Sequence, residues 1–327
     1  MVESSVDSRY HRGLHYFALA TAGATFLLLI AGALVTSNDA GLSVPDWPLS
    51  HGQWMPEMVG GVFYEHGHRM VATTVGLLTI VLNIWLWKVP SYPWVRALGL
   101  VALGAVITQG VLGGVTVLFF LPTPISVLHA SLAPLFFCMV VTLAVVTSPD
   151  WVHLSRSFRD GWRKVLKGAD WDLKLAILTT MALYFQHVLG ATVRHSGTVN
   201  GTKAAVLVTS ALVAHLVGAF AATGLILFVA RVFIKRIHDR SILRLVYLQL
   251  SLLCAQLLLG WGAYLVRIDP ATQVQPSVSG VWITTSHLTV GVLLLVTSLV
   301  VTLKLMNNVA LRDRGPVPEP TLAGQTV

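Results

Sequence analysis

The chain has 327 residues, 55% of them hydrophobic and only 11% charged, with a mean hydropathy of +0.73. Soluble domains carry roughly 25% charged residues, so a soluble fold is excluded and the composition reads as an all-α integral membrane protein. Twelve histidines stand beside 14 acids and 22 Lys and Arg, for a net charge of +8, and that many imidazoles in a membrane chain raise a question about metals or protons.

A hydrocarbon core about 30 Å thick asks for roughly 20 mainly apolar residues per helix. Runs of that kind lie near 14–36, 68–88, 96–119, 125–147, 173–193, 205–231, 242–265 and 282–304, which predicts eight transmembrane helices. The fourth opens after Leu121-Pro122-Thr123-Pro124, turn chemistry at an interface. One side of the spans carries 18 of the Lys and Arg; the other carries only Arg69, Arg194, Lys203 and Arg267. The excess places both termini in the cytoplasm of a cell whose inner (plasma) membrane holds the chain. The positive charge is therefore a topological signal, and no nucleic acid is expected as a partner beside the lipid bilayer. The apolar run after residue 13 is too long for a cleavable signal, and Glu3 and Asp7 argue against a transit peptide. Cys138 and Cys254 fall inside spans and read as packing residues.

The two halves resemble each other. Gly32-Ala33-Leu34-Val35 in span 1 matches Gly190-Ala191-Thr192-Val193 in span 5, and Gln109 to Gly113 in span 3 matches Gln256 to Gly260 in span 7. His68 precedes Gln109 by 41 residues, and His215 precedes Gln256 by 41. This predicts two repeated four-helix bundles in one orientation, residues 1–149 and 175–312. A basic linker, 150–174, would join them, and 313–327 reads as a disordered tail.

His11, His153 and His238 sit among charges in cytoplasmic segments, His15 at the entry of span 1, and His51, His66 and His195 on the outer side. His68, His129, His215 and His287 differ, because they fall on spans 2, 4, 6 and 8 toward the outer half of the membrane. Imidazole is costly in lipid and marks function when repeated. Two imidazoles facing each other across a four-helix bundle suit axial ligation of a haem iron, whereas zinc would want further ligands. Gly67, Ala130, Gly218 and Gly291 near these positions would give a flat macrocycle room, and His187 is either a core group or a neighbour of a porphyrin propionate.

Residues 37–67 form the longest outer segment, with the acids Asp39, Asp46, Glu57 and Glu65. Glu65 precedes His68 by three positions and shares a helix face with it if the helix starts by residue 65. It is either a carboxylate beside a haem edge that moves protons or an acid favoured by the helix N-terminus. Arg69 and Arg194 are candidates for pairing with a haem propionate, or for anchoring at the interface. Trp47, Trp54 and Trp282 fit an outer aromatic belt, Trp85 and Trp87 an inner one.

Asp39-Ala40-Gly41-Leu42-Ser43-Val44-Pro45-Asp46-Trp47-Pro48-Leu49, followed by Glu65-His66-Gly67-His68-Arg69, resembles the haem A synthases, in their Gly-Leu-Ser-x-Pro-Asp-Trp-Pro loop and their Glu-x-x-His-Arg opening of helix 2. The resemblance spans about residues 14–310. It implies an oxidoreductase that converts the C8 methyl group of haem o to the formyl group of haem a by successive hydroxylations, for cytochrome oxidase biogenesis. It further implies His68 and His129 as axial ligands to the substrate or product haem, His215 and His287 as ligands to a haem b, and Glu65 as the catalytic residue. The implied partners are haem O synthase (protohaem farnesyltransferase) and cytochrome oxidase assembly factors; self-association into a homo-oligomer stays open. Two departures matter. Residues 37–67 lack the cysteine pair of some bacterial members, which excludes a thiol redox step there, and Thr36 stands where many members have an Arg that Arg194 matches in span 5.

Two rivals remain at this point. A di-haem b electron-transfer protein of the quinol-linked cytochrome b type would use the same histidines, but their clustering on the outer side counts against a wire across the membrane. A transporter of two four-helix halves would more often show helices broken at midplane.

Overall fold

The computed structural model describes residues 11–149, 151, 167–196, 205–268 and 276–312. Eight long helices account for nearly all of them: α1 (Arg12–Ser37), α2 (Gly60–Lys88), α3 (Pro93–Leu118), α4 (Thr123–Val146), α5 (Trp171–His195), α6 (Ala205–Arg236), α7 (Arg240–Ile268) and α8 (Val278–Arg312). All eight are long and apolar enough to cross a membrane. The expected tail, 313–327, lies outside the described residues, as does the expected linker except for residues 151 and 167–174.

Local chemistry sets the ends. The Asp170 side chain accepts from Leu173 N at 3.0 Å and caps α5. Pro93 and Pro124 occupy the first turns of α3 and α4, where a missing N–H costs nothing. At the far end of α3 the chain reverses through Phe120 and Leu121, both at positive φ, and Leu121 N reaches back to Thr116 O at 2.7 Å.

One boundary differs usefully from the hydropathy reading. α2 starts at Gly60 rather than 68, because the run Gly-Gly-Val-Phe-Tyr-Glu-His-Gly is helical without being uniformly apolar. Hydropathy reports what faces lipid, and one side of these first two turns, at Gly61, Glu65 and His66, is covered by the preceding loop instead. Glu65, His66, His68 and Arg69 consequently all lie on one continuous helix.

Packing reproduces the internal repeat. In the first half α1, α2, α3 and α4 form a closed ring of neighbours, and α5, α6, α7 and α8 close a second ring in the same order. The halves meet through α1 against α8, α4 against α5, and α4 against α8. Exchanging the halves maps the first two of these contacts onto each other and the third onto itself, so the junction has the pattern of a two-fold axis.

Helices in lipid gain little from apolar burial and associate by close packing and interhelical hydrogen bonds. Thr180 Oγ1 accordingly meets Ser298 Oγ at 2.9 Å and Thr302 Oγ1 at 3.0 Å, tying α5 to α8. Across the junction Ser37 Oγ meets Thr284 Oγ1 at 2.9 Å, and Thr123 Oγ1 donates to His195 O at 3.2 Å. Such contacts contribute about 0.6 kcal/mol each on average. The tightly buried side chains, among them Leu82, Leu86, Val140, Leu143, Phe233 and Ile242, concentrate toward the end of the bundles that carries Lys88, Lys235 and Arg236. This is called the basic end below. The opposite end, where the 38–59 loop lies, holds His68, His129, His215 and His287.

Candidate functional site

Each of the four even-numbered helices presents one histidine to the interior near the loop end. The helix before it presents a glycine to that ring. A methyl group placed on Gly32 would stand 3.1 Å from His68 Cε1, on Gly113 3.4 Å from His129 Cε1, on Gly190 3.2 Å from His215 Cε1, and on Gly260 3.0 Å from His287 Cε1. The four glycines thus form four equivalent seats, and in each the Nδ1 edge lies nearer the glycine than Nε2 does. Each ring also lies against the backbone of the residue one turn before its glycine: Leu28, Gln109, Gln186 and Gln256. For His68, His129 and His287 this approach at Nδ1 stops short of full hydrogen-bond geometry. Turning Nδ1 toward a helix backbone leaves Nε2 as the nitrogen that points away from it, the usual arrangement of a metal-ligating imidazole.

Glutamines reinforce the seats. Gln109 Nε2 donates to His129 O at 3.0 Å, and Gln186 Nε2 donates to His215 O at 2.8 Å while lying 2.9 Å from His215 Nδ1. Gln186 carries the same spacing to Gly190 that Gln109 has to Gly113 and Gln256 to Gly260. Sequence reading passed over Gln186, although a Gln-x-x-x-Gly pattern in three helices was there to be found.

The structure brings the histidines together in pairs. His215 and His287 face each other with ring centroids 6.5 Å apart and planes at 86°. If two imidazoles ligate one iron from opposite sides, bonds of about 2.0 Å and roughly 1.2 Å from nitrogen to ring centre place the centroids about 6.3 Å apart. The observed spacing fits a bis-histidine haem. His68 and His129 are near enough for the charge of one to act on the other. Zinc fits less well, since among the described residues no group of three or more His, Cys, Asp or Glu converges on a metal position.

His187 lies beside the second pair. Its Nδ1 contacts Leu183 O at 2.9 Å, and its Nε2 lies 3.3 Å from where a Gly291 Cβ would stand, one turn along α8 from His287. The matching position in α1 is Leu29, so this third imidazole belongs to the C-terminal half alone. Gly291 and Gly218 make room for side chains: Gln256 and His187 at the former, Gln186 at the latter.

The first bundle has a cover that the second lacks among the described residues. The 38–59 loop folds over its end and is fixed by Glu65 and Arg69. Glu65 is buried, with Oε2 accepting from Val44 N at 2.9 Å and Oε1 from Arg69 Nη2 at 2.7 Å. Because α2 starts at Gly60, Glu65 lies beyond the first helical turn, which removes the helix N-terminus as the reason for an acid there. Arg69 Nη1 donates to Asp46 O at 2.8 Å and Leu49 O at 2.7 Å, so its guanidinium is engaged by the loop and by Glu65. His66 is buried with Nδ1 2.8 Å from Ser50 Oγ. Reading it as part of an outer loop concealed that contact.

Trp47 lies against α3 so closely that a Cβ on Gly114 would come within 2.7 Å of its indole. Asp46 accepts from His51 N at 2.7 Å and Gly52 N at 2.8 Å, and these amides, Gly52 first, hold its carboxyl below the usual carboxylate range. Arg194 donates to the carbonyl of Thr36, so the cation at the end of α5 reaches across to the position that lacks one in α1. Trp54 and Trp282 are exposed at the loop end, and Trp87 is exposed at the basic end, as aromatic belts require.

Residues 59–205 match the COX15-CtaA model, described as cytochrome oxidase assembly protein. The chain is 32% identical over 189 residues to a haem A synthase of Shouchella clausii, covering 57% of this chain and 60% of the relative. It is 32% identical over 197 residues to one of Symbiobacterium thermophilum, with 57% and 60% covered. A third, of Roseobacter denitrificans, is 35% identical over 130 residues, 36% of this chain and 34% of the relative. The chain thus spans about 60% of the length of the first two relatives. Through residues 59–205 the chain is similar to the COX15-CtaA model, and over somewhat more than half its length it is similar to bacterial proteins named haem A synthase.

Proposed function

We propose that the chain is a haem A synthase, which oxidises the C8 methyl group of haem o to the formyl group of haem a. The observation that carries this reading is the pairing of imidazoles on glycine seats, made twice by the repeat, with a buried carboxylate and a fixed loop, among the described residues, at only one of the two pairs. On this reading His68 and His129 hold the substrate in the covered N-terminal half. His215 and His287 hold a haem b, which supplies a one-electron relay when bound.

The protein's own groups bind, orient and exclude water. The glycine seats fix ring orientation, so that Nε2 is presented without rotamer search. Conversion of methyl to formyl takes one oxygen from water and releases four protons and four electrons to an acceptor. Glu65, at the end of the covered bundle, supplies a carboxylate oxygen to accept a proton there, and Arg69 holds it in place through Oε1. The loop over α2 and α3 limits access of bulk water through Trp47 and Val44.

The 18-to-4 division of Lys and Arg supports both termini in the cytoplasm and the haem sites toward the outer face of the cell inner membrane. The upstream partner on this reading is the haem O synthase that makes the substrate, and the downstream partners are cytochrome oxidase assembly factors. The uneven covering favours an enzyme over a di-haem b electron carrier, which has no use for a carboxylate and lid at one site alone.

Co-expression with a haem O synthase, extraction and mass identification of the haems tests the proposal. Haem a is expected. Recovery of only haem b and haem o, with a competent electron acceptor present, overturns it.

A further inference from the structure

α6 and α7 are the least closely packed neighbours of the two rings, and a groove of about 330 Å³ opens between them toward the basic end. Its wall is apolar through Leu227, Ala230, Ile234 and Leu250, and two cations, Arg231 and Lys235, complete it. Leu227 and Ile234 are 52% and 39% exposed, so the groove faces the surrounding lipid. Arg231 and Lys235 are four residues apart on one helix face, where like charges repel. No acid belongs to the lining. Of the acids near this end, Asp172 lies 3.4 Å from Arg236, and Asp239, between α6 and α7, accepts from Ser241 N at 2.8 Å.

The repeat shows what the equivalent position looks like when closed. In the first half Asn83 Oδ1 and Leu86 Cδ1 press against Gly99, within 2.8 and 2.9 Å of where its Cβ would stand. Ala230 takes the place of Asn83 and Val246 that of Gly99, so the small-on-large fit is lost and the groove remains. Ile84 stands where Arg231 does, and Trp87, under the Arg96 guanidinium at 5.5 Å, stands where Ile234 does. The C-terminal half therefore has a slot and a second cation on α6 itself, whereas in its twin the second cation, Arg96, comes from α3 and covers Trp87.

We infer that this groove is a binding site for an anionic phospholipid, one acyl chain lying between α6 and α7 and the phosphate held by Arg231 and Lys235. The match is one of charge and shape together: an apolar slot running parallel to lipid chains, ending in two adjacent cations at headgroup depth. A lipid without phosphate would fill the slot but offer the two like charges no counter-ion, and a zwitterionic one would bring a third cation of its own beside them.

The test is native mass spectrometry of the full chain in detergent, titrated separately with phosphatidylglycerol and with phosphatidylcholine of identical acyl chains. Phosphatidylglycerol is expected to be retained about 30-fold better, from two cations near the headgroup. The double variant R231Q/K235Q should lower its retention to the phosphatidylcholine level. Ala230→Phe, which fills the slot and keeps both cations, should lower retention of both lipids, while Lys88→Gln in the first half should change neither. Equal retention of the two lipids by the unaltered chain overturns the inference. So does a preference that survives R231Q/K235Q, or one that falls equally in Lys88→Gln, since the charge would then act from the surface at large.

Discussion

The glycine seats can be tested by filling them. Alanine at Gly260 puts a Cβ 3.0 Å from His287 Cε1, whereas carbon atoms rest at about 3.5–4.0 Å, so the ring must withdraw by about 0.5 Å or more. Overpacking of this kind costs about 1–3 kcal/mol. If that cost falls on the ligated geometry, haem b affinity drops by about 5- to 150-fold. The clearances grade the four sites, at 3.0 Å for Gly260, 3.1 Å for Gly32, 3.2 Å for Gly190 and 3.4 Å for Gly113. Haem loss should follow that order, with Gly260→Ala and Gly190→Ala depleting haem b and Gly32→Ala and Gly113→Ala depleting the haem held by the first half. Gly224→Ala is the control, because nothing lies within 4 Å of its added Cβ. Haem content per protein, from the reduced-pyridine absorbance of purified variants, gives the measurement. Full haem b occupancy and an unchanged Soret band in both Gly260→Ala and Gly190→Ala would refute the view that the seats set the ligating geometry.

Other expectations follow from the same contacts. Glu65→Gln keeps the size of the side chain but loses the charge facing Arg69 Nη2 at 2.7 Å; about 1.5–3 kcal/mol of stability and the formation of haem a should be lost with haem binding retained. An unchanged haem a yield in that variant removes Glu65 from the chemistry. Gln186→Leu leaves the His215 carbonyl and Nδ1 without their amide partner, and roughly tenfold weaker haem b binding is expected with the first half unaffected; equal loss in both halves would contradict the pairing. Asp46 is held below the ordinary value of 3.8, so its contribution to the loop is complete above that pH and disappears as pH falls through the lowered value. The protection factors of the His51 and Gly52 amides should therefore fall on acidification below about pH 4, and in Asp46→Asn they should be low already at neutral pH. Protection that persists to pH 2 would show that the carboxylate does not hold the turn.

Why some of this was visible beforehand and some was not comes down to which partner each residue needs. A histidine in an apolar run stands out from its own neighbours, so the four ligand candidates and the repeat were legible. The glycines were legible only as marks of the repeat. Gly67, Gly218 and Gly291, chosen for being close in sequence to the histidines, are not the ones that seat them; Gly32, Gly113, Gly190 and Gly260 do so from the preceding helix. Contacts between helices depend on rotation about each axis, which hydropathy leaves open. Arg69 shows the same limit. As an outer cation it was a candidate for a propionate, yet it bonds the carbonyls of Asp46 and Leu49, which carry no mark in the sequence. Glu65 was even-handed between two readings until the start of α2 at Gly60 decided one of them.

The junction between the halves has a consequence for ancestry and for assembly. α1 meets α8 as α5 meets α4, and α4 meets α8 at the centre, so each half offers the other the same patch. That is the self-complementary contact of a symmetric dimer, here with its two subunits joined into one chain. A four-helix unit with two seated histidines already contains both members of an imidazole pair and a surface for its own copy. Among the described residues, what separates the halves is added material: a loop gathered around Glu65 and Arg69 on one, a third imidazole and an open slot on the other. Specialisation in this protein is written at the edges of a duplicated frame, and the frame itself has stayed the same twice over.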